Sequence, residues 1–293
     1  MPGPGVVRMF KKVCTAVVAG ALVAGGCRPG LKPLPVCPGK GSVSGALSAM
    51  KQRTEAVRSL RASGTARLEY YLQDKRKAKK EAFAVKLWLN PPSQVYLQGS
   101  VGLDPKAVVL GSNDKEFWLA IRPKKVSTYW WGLWSENQYG HNLMLSPRIV
   151  VEALGAASMH DDGQADWSLE NDGPFDILTK RTDAGLPLKR FYVCSCDYLV
   201  RKIEYFDEFG QVDVVAELDK YTQVAEGFFA PRSIKVRKLG TAGRDDSASI
   251  TLKSIKPYQF NRRQLELLFV RPGAERFETV YEVVGGKWVE RSG

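Results

Sequence analysis

The sequence is poor in the residues that most often carry catalysis or bind metal. It has only two histidines, His141 and His160. Two aspartates follow His160, but adjacent residues that end in Gly163 are more typical of a turn than of a metal site. We therefore predict no catalytic residue, no metal ligand, no cofactor and no enzymatic activity. A membrane-anchored hydrolase that uses His160 and Asp161 is the third and least supported alternative.

Cysteine is also scarce, with five in the whole chain. Three of them, Cys37, Cys194 and Cys196, lie beyond the predicted signal peptide and the cysteine that follows it. Three thiols leave one unpaired, although an oxidising export compartment permits disulfides. Cys194 and Cys196 are two apart in a predicted strand and should share one face. Cys37 can pair with either, so the disulfide state stays open.

The N-terminus has no apolar run long enough for a comfortable membrane span, which needs about 20 residues. Arg8, Lys11 and Lys12 instead precede a short apolar stretch, residues 13–23, that ends in small residues. This order is typical of a signal peptide, which we assign to residues 1–26. An uncleaved anchor helix is the alternative, and the glycines near its end argue against it.

A cysteine follows this stretch directly. The segment Leu22-Val23-Ala24-Gly25-Gly26-Cys27 resembles a bacterial lipobox. The resemblance implies that Cys27 carries acyl chains such as palmitate and becomes the mature N-terminus. In the alternative, the signal peptide is cleaved after a small residue without lipidation, and Cys27 carries no acyl chain. The residue after Cys27 is Arg28, whereas an aspartate there would resemble an inner-membrane retention signal. This favours an anchor in the outer membrane, facing the periplasm. Residues 27–44, rich in proline, are predicted to be a lipidated cysteine and a flexible linker.

The formal net charge is +12. A positive net charge of this size favours binding to nucleic acid or to an anionic membrane surface. Export makes nucleic acid the poorer partner, so we expect none. The expected partners are the membrane, through the lipid anchor, and lipid or lipoprotein acyl chains, bound by a monomer.

The remaining residues, 45–293, predict one domain rich in strands. Helical spacing covers Gly45–Arg61, with Ser44 as the expected N-cap, and a second short helix covers Arg148–Leu154. About ten strands follow each other mostly in hairpin order. The predicted class is α+β: a single curved antiparallel sheet that forms an unclosed β-barrel, with helices covering its concave face. The tail from Arg263 to Val284 is ambiguous.

Aromatic residues are concentrated in two adjacent predicted strands. Strand alternation sends neighbours such as Phe117 and Trp118, or Trp130 and Trp131, to opposite faces. One member of each pair could line an apolar pocket, whereas simple core packing explains the cluster equally well. The candidates for the cavity wall are Trp88, Phe117, Trp118, Trp130, Trp131 and Trp134.

The order of these elements resembles the bacterial LolA/LolB-like lipoprotein carrier and receptor superfamily. The likeness lies in a helix followed by residues 60–68, 83–89, 91–97 and 110–119, and later in Gly227, Pro231 and Ile234. It implies an unclosed barrel whose hydrophobic cavity takes lipid or acyl chains, with a role in lipoprotein sorting or lipid transfer. The chain is longer than these proteins. No arginine of this sequence is matched to their functional arginine.

The resemblance also makes Leu103 a counterpart of the receptor's protruding leucine. An ordinary loop leucine, tucked back against the sheet, is the alternative. For the whole protein, the rival hypothesis is a structural or interaction lipoprotein of the envelope whose core is filled by its own side chains and binds no ligand.

Overall fold

A computed structural model describes residues 34–71, 77–122, 127–136, 146–155, 167–240, 243–285 and 287–291. All of them belong to the second of the two units into which the chain divides, Leu34–Gly293. The predicted signal peptide, Cys27, His141 and His160 lie outside the described residues.

Fifteen strands form one sheet. The strands are β1 (Leu60–Tyr70), β2 (Lys79–Asn90), β3 (Gln94–Val101), β4 (Asp104–Ser112), β5 (Glu116–Ile121), β6 (Thr128–Leu133), β7 (Trp167–Asp172), β8 (Phe175–Arg181), β9 (Pro187–Cys194), β10 (Val200–Phe206), β11 (Val212–Ala225), β12 (Phe228–Lys238), β13 (Asp246–Pro257), β14 (Thr279–Val284) and β15 (Lys287–Arg291). The spatial order is β15-β14-β6-β5-β4-β3-β2-β1-β13-β12-β11-β10-β9-β8-β7. Because β15 and β7 are free edges, the sheet is unclosed.

The prediction of one large unclosed sheet is confirmed, with two corrections. The sheet has fifteen strands where about ten were expected. It is also not purely antiparallel, because β14 pairs with β6 in parallel, from Thr279 opposite Thr128 to Glu282 opposite Trp131. That pairing is made by the C-terminal tail, whose conformation the sequence pattern left open.

Alternation of apolar residues explains the central strands. In β2 the side chains of Phe83, Val85, Leu87 and Leu89 are buried and their neighbours are more exposed. The pairing of β1 with β13 shifts register at Gly64. A Cβ atom there would lie 1.9 Å from the backbone oxygen of Thr251, so only glycine permits this approach.

Three α-helices occur in the described part of the chain: α1 (Val43–Glu55), α2 (Pro147–Ala153) and α3 (Arg262–Leu268). The N-cap of α1 is Ser42, whose hydroxyl accepts from the Gly45 backbone N–H at 3.2 Å, and not the predicted Ser44. The helix also ends six residues before the predicted Arg61. Leu60 instead opens β1 and pairs with Leu89 and Pro257, because sheet pairing outweighs local helical spacing.

Two hydrophobic cores lie on opposite faces of the central strands. The helix-side core joins buried residues of α1 and α2 to one set of strand positions, including Leu97, Leu110 and Leu119. The C-terminal core uses the alternate positions of the same strands; its buried members are Tyr96, Val109, Trp118, Ala120, Tyr129 and Phe269. Leu265 and Leu268 of α3 pack against this second core.

The cysteines settle the alternatives that the sequence left open. Cys37 and Cys196 form a disulfide, and Cys194 is free and buried. Cys196 lies in the turn after β9 rather than in the strand, so it does not share a face with Cys194. The backbone N–H of Lys40 also donates to Asp176 at 2.9 Å. The described part of the predicted linker, from Leu34, is therefore attached to the sheet.

No helix among these described segments is long and apolar enough to cross a membrane.

Candidate functional site

A cavity of about 650 Å³ lies between α1, α2 and the strands at the β7 end of the sheet. This volume falls within the range of about 300–1,000 Å³ that is usual for ligand pockets. Its lining residues are Met50, Arg53, Thr54, Val57, Pro92, Ser93, Trp134, Arg148, Val151, Glu152, Ala153, Leu154, Gly155, Trp167, Lys180, Arg181, Thr182, Asp183, Leu188, Lys189, Phe191, Tyr198, Leu199, Val200, Tyr205, Tyr221, Gly227 and Phe229.

Aliphatic and aromatic side chains form much of the wall. Met50 of α1 and Val57, just beyond that helix, contribute to it, as do Val151 of α2 and Leu154, the C-cap of α2. The aromatic part of the lining consists of Trp134, Trp167, Phe191, Tyr198, Tyr205, Tyr221 and Phe229. Such walls remove apolar ligand surface from water, which stabilises a complex by about 25 cal/mol per Å².

Charged groups are also present, and they are unbalanced. Among the described residues, the lining contains five cations, at Arg53, Arg148, Lys180, Arg181 and Lys189, and two carboxylates. Four of these cations lie near an aromatic ring of the same wall. Their charged groups are 5.7 Å (Arg53 to Phe229), 5.1 Å (Arg148 to Trp134), 6.0 Å (Lys180 to Trp167) and 5.3 Å (Lys189 to Phe191) from the ring centroids. Contacts of this kind stabilise a cation by about 0.5–2 kcal/mol.

The buried carboxylate of Glu152 is held by two donors. Lys189 Nζ lies 3.0 Å from Oε1, and the hydroxyl of Tyr205 donates to Oε2 at 2.7 Å. Burial raises the pKa of Glu152, but the charges of Lys189 and Arg148 and the two hydrogen bonds outweigh it, so the pKa lies below its usual value. Burial and the charge of Glu152 raise the pKa of Tyr205. At neutral pH Glu152 is therefore ionised and Tyr205 is protonated.

Arg148 is the cation of α2 and lies over the ring of Trp134. The indole Nε1 of Trp134 donates to the backbone oxygen of Asn113 at 2.8 Å, which fixes the orientation of the ring. Arg148 itself has no hydrogen bond or ion pair to any residue in the described ranges. Arg148 is thus a lining residue of the cavity whose guanidinium donors have no acceptor among the described residues.

The wall near the disulfide is fixed by a second buried carboxylate. The hydroxyl of Tyr198 donates to Asp176 at 2.8 Å, and burial together with this carboxylate raises the pKa of Tyr198. Arg53 of α1 donates to the backbone oxygen of Asp197 at 2.6 Å. These bonds connect α1 and the turn after β9 to the sheet.

The six aromatic candidates do not lie together. Trp134 lines the cavity. Trp130 is half-buried against the helix-side core. Phe117 is buried between Trp134 and Trp288, with ring centroids 4.6 Å and 6.2 Å away.

The other three candidates lie on the opposite face. Trp118 is fully buried in the C-terminal core, and Trp88 and Trp131 pack against that core. The guanidinium carbon of Arg271 lies 4.0 Å from the Trp131 ring centroid. None of these three is among the lining residues of the cavity.

Leu103 lies in the turn between β3 and β4 and is completely exposed, at 103% of its reference area. Its side chain is therefore not tucked back against the sheet. Gly102, directly before it, has a φ of +59°, a value that favours glycine in a tight turn.

Sequence reasoning missed the charged residues of the cavity. A signal for one of them was present, because Glu152 stands alone in the apolar run Ile149-Val150-Val151-Glu152-Ala153-Leu154 of a predicted helix. A carboxylate there must be buried, and buried charges require partners. Lys189 and Arg53 carried no such signal. Among the described residues, no group of three or more His, Cys, Asp or Glu side chains could hold a metal ion.

Solved structures of other proteins contain a similar fold, although no match is found from sequence. No family model and no curated protein sequence matches the chain. Among solved structures, an outer membrane lipoprotein-sorting protein domain from Vibrio parahaemolyticus matches with a TM-score of 0.53 and 11% identity, over 76% of this chain and 97% of that one. A LolA superfamily protein from Nitrosomonas europaea matches with a TM-score of 0.50 and 10% identity, over 77% and 97%.

The fold is LolA-like. At these identities the likeness concerns the fold alone, and function has to be argued from the site. The match extends over about three quarters of the chain.

Proposed function

We propose that this chain is a lipid-anchored envelope protein that binds lipid or acyl chains noncovalently, in lipoprotein sorting or lipid transfer. The observation that carries the proposal is the cavity of about 650 Å³ with an aromatic and aliphatic wall. In this proposal α1 and α2 cover the concave face of the sheet and enclose the hydrocarbon.

The chemistry of the proposed binding requires no covalent step. An acyl chain placed against Met50, Val57, Val151 and Leu154 exchanges contact with water for contact with apolar walls. Each buried methylene contributes about 0.8 kcal/mol. The rival hypothesis of a self-filled core predicts little free volume beside these helices.

The proposed anchor is the lipidated Cys27, in the outer membrane and facing the periplasm. The disulfide of Cys37 with Cys196 joins the linker to the sheet ten residues later. The exposed Leu103 is proposed as the protruding residue that contacts the lipid phase.

The binding proposal is tested with the full chain carrying Cys27→Ser, purified without detergent. Native mass spectrometry should detect a stoichiometric bound lipid, which disappears on denaturation and is recovered by organic extraction. A mass equal to the apo protein, with no uptake of added fatty acid or lipopeptide, would support the self-filled structural alternative instead.

The anchor is tested separately in cells. Cys27→Ser should abolish acylation and release the protein from the membrane fraction, whereas the matched variant Cys37→Ser should stay acylated and membrane-bound. Retention of the Cys27→Ser protein in the membrane would disprove the lipoprotein assignment.

A further inference from the structure

We propose that the ligand of the cavity is an acidic amphiphile, a hydrocarbon chain that ends in a carboxylate or phosphate, and that Arg148 holds its anionic group. This inference rests on the proposed function and names the class of lipid that the cavity selects.

The described wall of the cavity carries more positive than negative groups, with five cations and two carboxylates among its residues. One carboxylate, Glu152, is already held by Lys189 and Tyr205. The group of Arg148, Lys189 and Glu152 therefore keeps a net positive charge. A charge imbalance in a partly enclosed cavity of lower dielectric than water favours an anion more strongly than the same cations would at an open surface.

Arg148 is positioned to bind an anion. Its guanidinium lies over the Trp134 ring, whose own orientation is fixed by a bond to the backbone of Asn113. The guanidinium carbon lies 5.1 Å from the ring centroid, and a contact with a ring does not use the N–H donors that an anion would accept. No residue in the described ranges accepts a hydrogen bond from these donors. A planar fork of N–H donors fits the two oxygens of a carboxylate or phosphate.

Glu152 makes no hydrogen bond to Arg148, although the two groups are close enough to interact through their charges. Both oxygens of Glu152 already accept a hydrogen bond, one from Lys189 at 3.0 Å and one from Tyr205 at 2.7 Å. Arg148 acts on Glu152 through its charge and helps to keep the carboxylate ionised. Lys189 of β9 is already paired with Glu152, so Arg148 of α2 is the cation that remains for the ligand.

The apolar lining and the cation meet on the same helix. Val151 of α2 and its C-cap Leu154 line the cavity three and six residues beyond Arg148. A chain packed along these residues would bring its terminal group beside the guanidinium. A neutral terminal group would leave the guanidinium partly dehydrated without an anionic partner, which costs free energy.

The test compares three ligands with one chain length: dodecanoate, dodecyl phosphate and dodecanol. Dissociation constants are measured by displacement of a fluorescent fatty acid from the full chain carrying Cys27→Ser. We expect the dissociation constant of each acidic ligand to be at least about ten-fold lower than that of dodecanol, since a hydrogen bond to a charged group contributes about 1.5–3 kcal/mol. Arg148→Gln should remove most of this preference, measured as the ratio of the dissociation constants for dodecanol and for each acidic ligand.

Two control variants separate charge from folding. Arg148→Lys keeps the charge but loses the fork, so it should retain part of the preference. Arg262→Gln, at an exposed position of α3, should bind like the parent chain. Inorganic phosphate should not displace the probe at concentrations where dodecyl phosphate does, which distinguishes a lipid headgroup from free phosphate.

Each outcome has one meaning. Equal binding of dodecanol and dodecanoate by the parent chain would overturn the inference and leave the proposed function standing. An acid preference that survives Arg148→Gln would overturn the assignment to Arg148. Failure of all three ligands and of the probe to bind would overturn the proposed function itself, and the inference with it.

Discussion

The two faces of the central strands carry similar apolar and aromatic residues, but one face packs into a filled core and the other borders a cavity. The C-terminal core is filled: Trp118 and Tyr129 are completely buried there beneath the segment that contains α3. The helix-side face keeps a cavity of about 650 Å³ beside α1 and α2. Aromatic content therefore does not locate a cavity in this protein. The unbalanced charges of the wall, Arg148 among them, distinguish the cavity from the filled core.

Matched large and small residues explain why the C-terminal core is filled. Gly111 of β4 pairs directly with Trp118 of β5. A Cβ atom at Gly111 would lie 2.4 Å from the indole, so the glycine makes room for the ring. Close packing of this kind leaves no room for a ligand between these two residues.

The largest effect should follow from removing the fully buried indole. Trp118→Ala should lower the free energy of unfolding by about 3–5 kcal/mol, because the indole packs in the C-terminal core without exposure. Urea denaturation followed by far-UV circular dichroism measures the change. The half-buried Trp88→Ala on the same face is the control and should lose less. A loss below about 1 kcal/mol for Trp118→Ala would show that this core is not close-packed.

The next effect concerns the link between the linker and the sheet. Cys37→Ser should cost about 2–4 kcal/mol, because the disulfide closes a loop with a sequence separation of 159. Denaturation of the parent chain with and without reductant should show the same loss. Reductant should leave the Cys37→Ser variant unchanged, and a further loss there would implicate the buried thiol of Cys194.

The smallest effect tests the charge inside the cavity. Glu152→Gln should cost about 1.5–3 kcal/mol at pH 7, since hydrogen bonds to a charged acceptor are lost. Because the folded-state pKa of Glu152 lies below its usual value of 4.5, its stabilisation is present above that pH. It is lost as pH falls through the lower folded-state pKa.

The measurement is urea denaturation of the parent and Glu152→Gln proteins from pH 7 down to acid. The difference between them should shrink below about pH 4.5. A difference that stays constant over this range would mean that the carboxylate is not ionised in the folded protein. The exposed Glu266→Gln of α3 should change stability by less than about 0.5 kcal/mol at any pH.

Much of the architecture was predictable because it depends on local patterns. Alternation identified β2, and the order of hairpins predicted one unclosed sheet with a LolA-like fold. The proline at the start of α2 located that helix within a residue. The end of α1 was wrong, since helical spacing through Leu60 could not reveal that this residue pairs with β2 and β13.

The candidate site was predictable only in kind. The sequence indicated an aromatic pocket, and Trp134 lies in the wall of the cavity. Alternation could separate Trp118 from Phe117, but it could not tell which face would be filled by the C-terminal segment. That depends on Phe269 and α3, which are distant in sequence from β5.

The sequence by itself determined the strand periodicity, the turn glycines, the short helix α2 and the apolar character of both faces, because each depends on neighbouring residues. Tertiary structure alone decided that Cys37 pairs with Cys196, that β14 lies parallel to β6, and that Lys189 and Tyr205 meet Glu152. These contacts join residues far apart in the chain. Their partners are chosen by the packing of the whole sheet, which no local pattern contains.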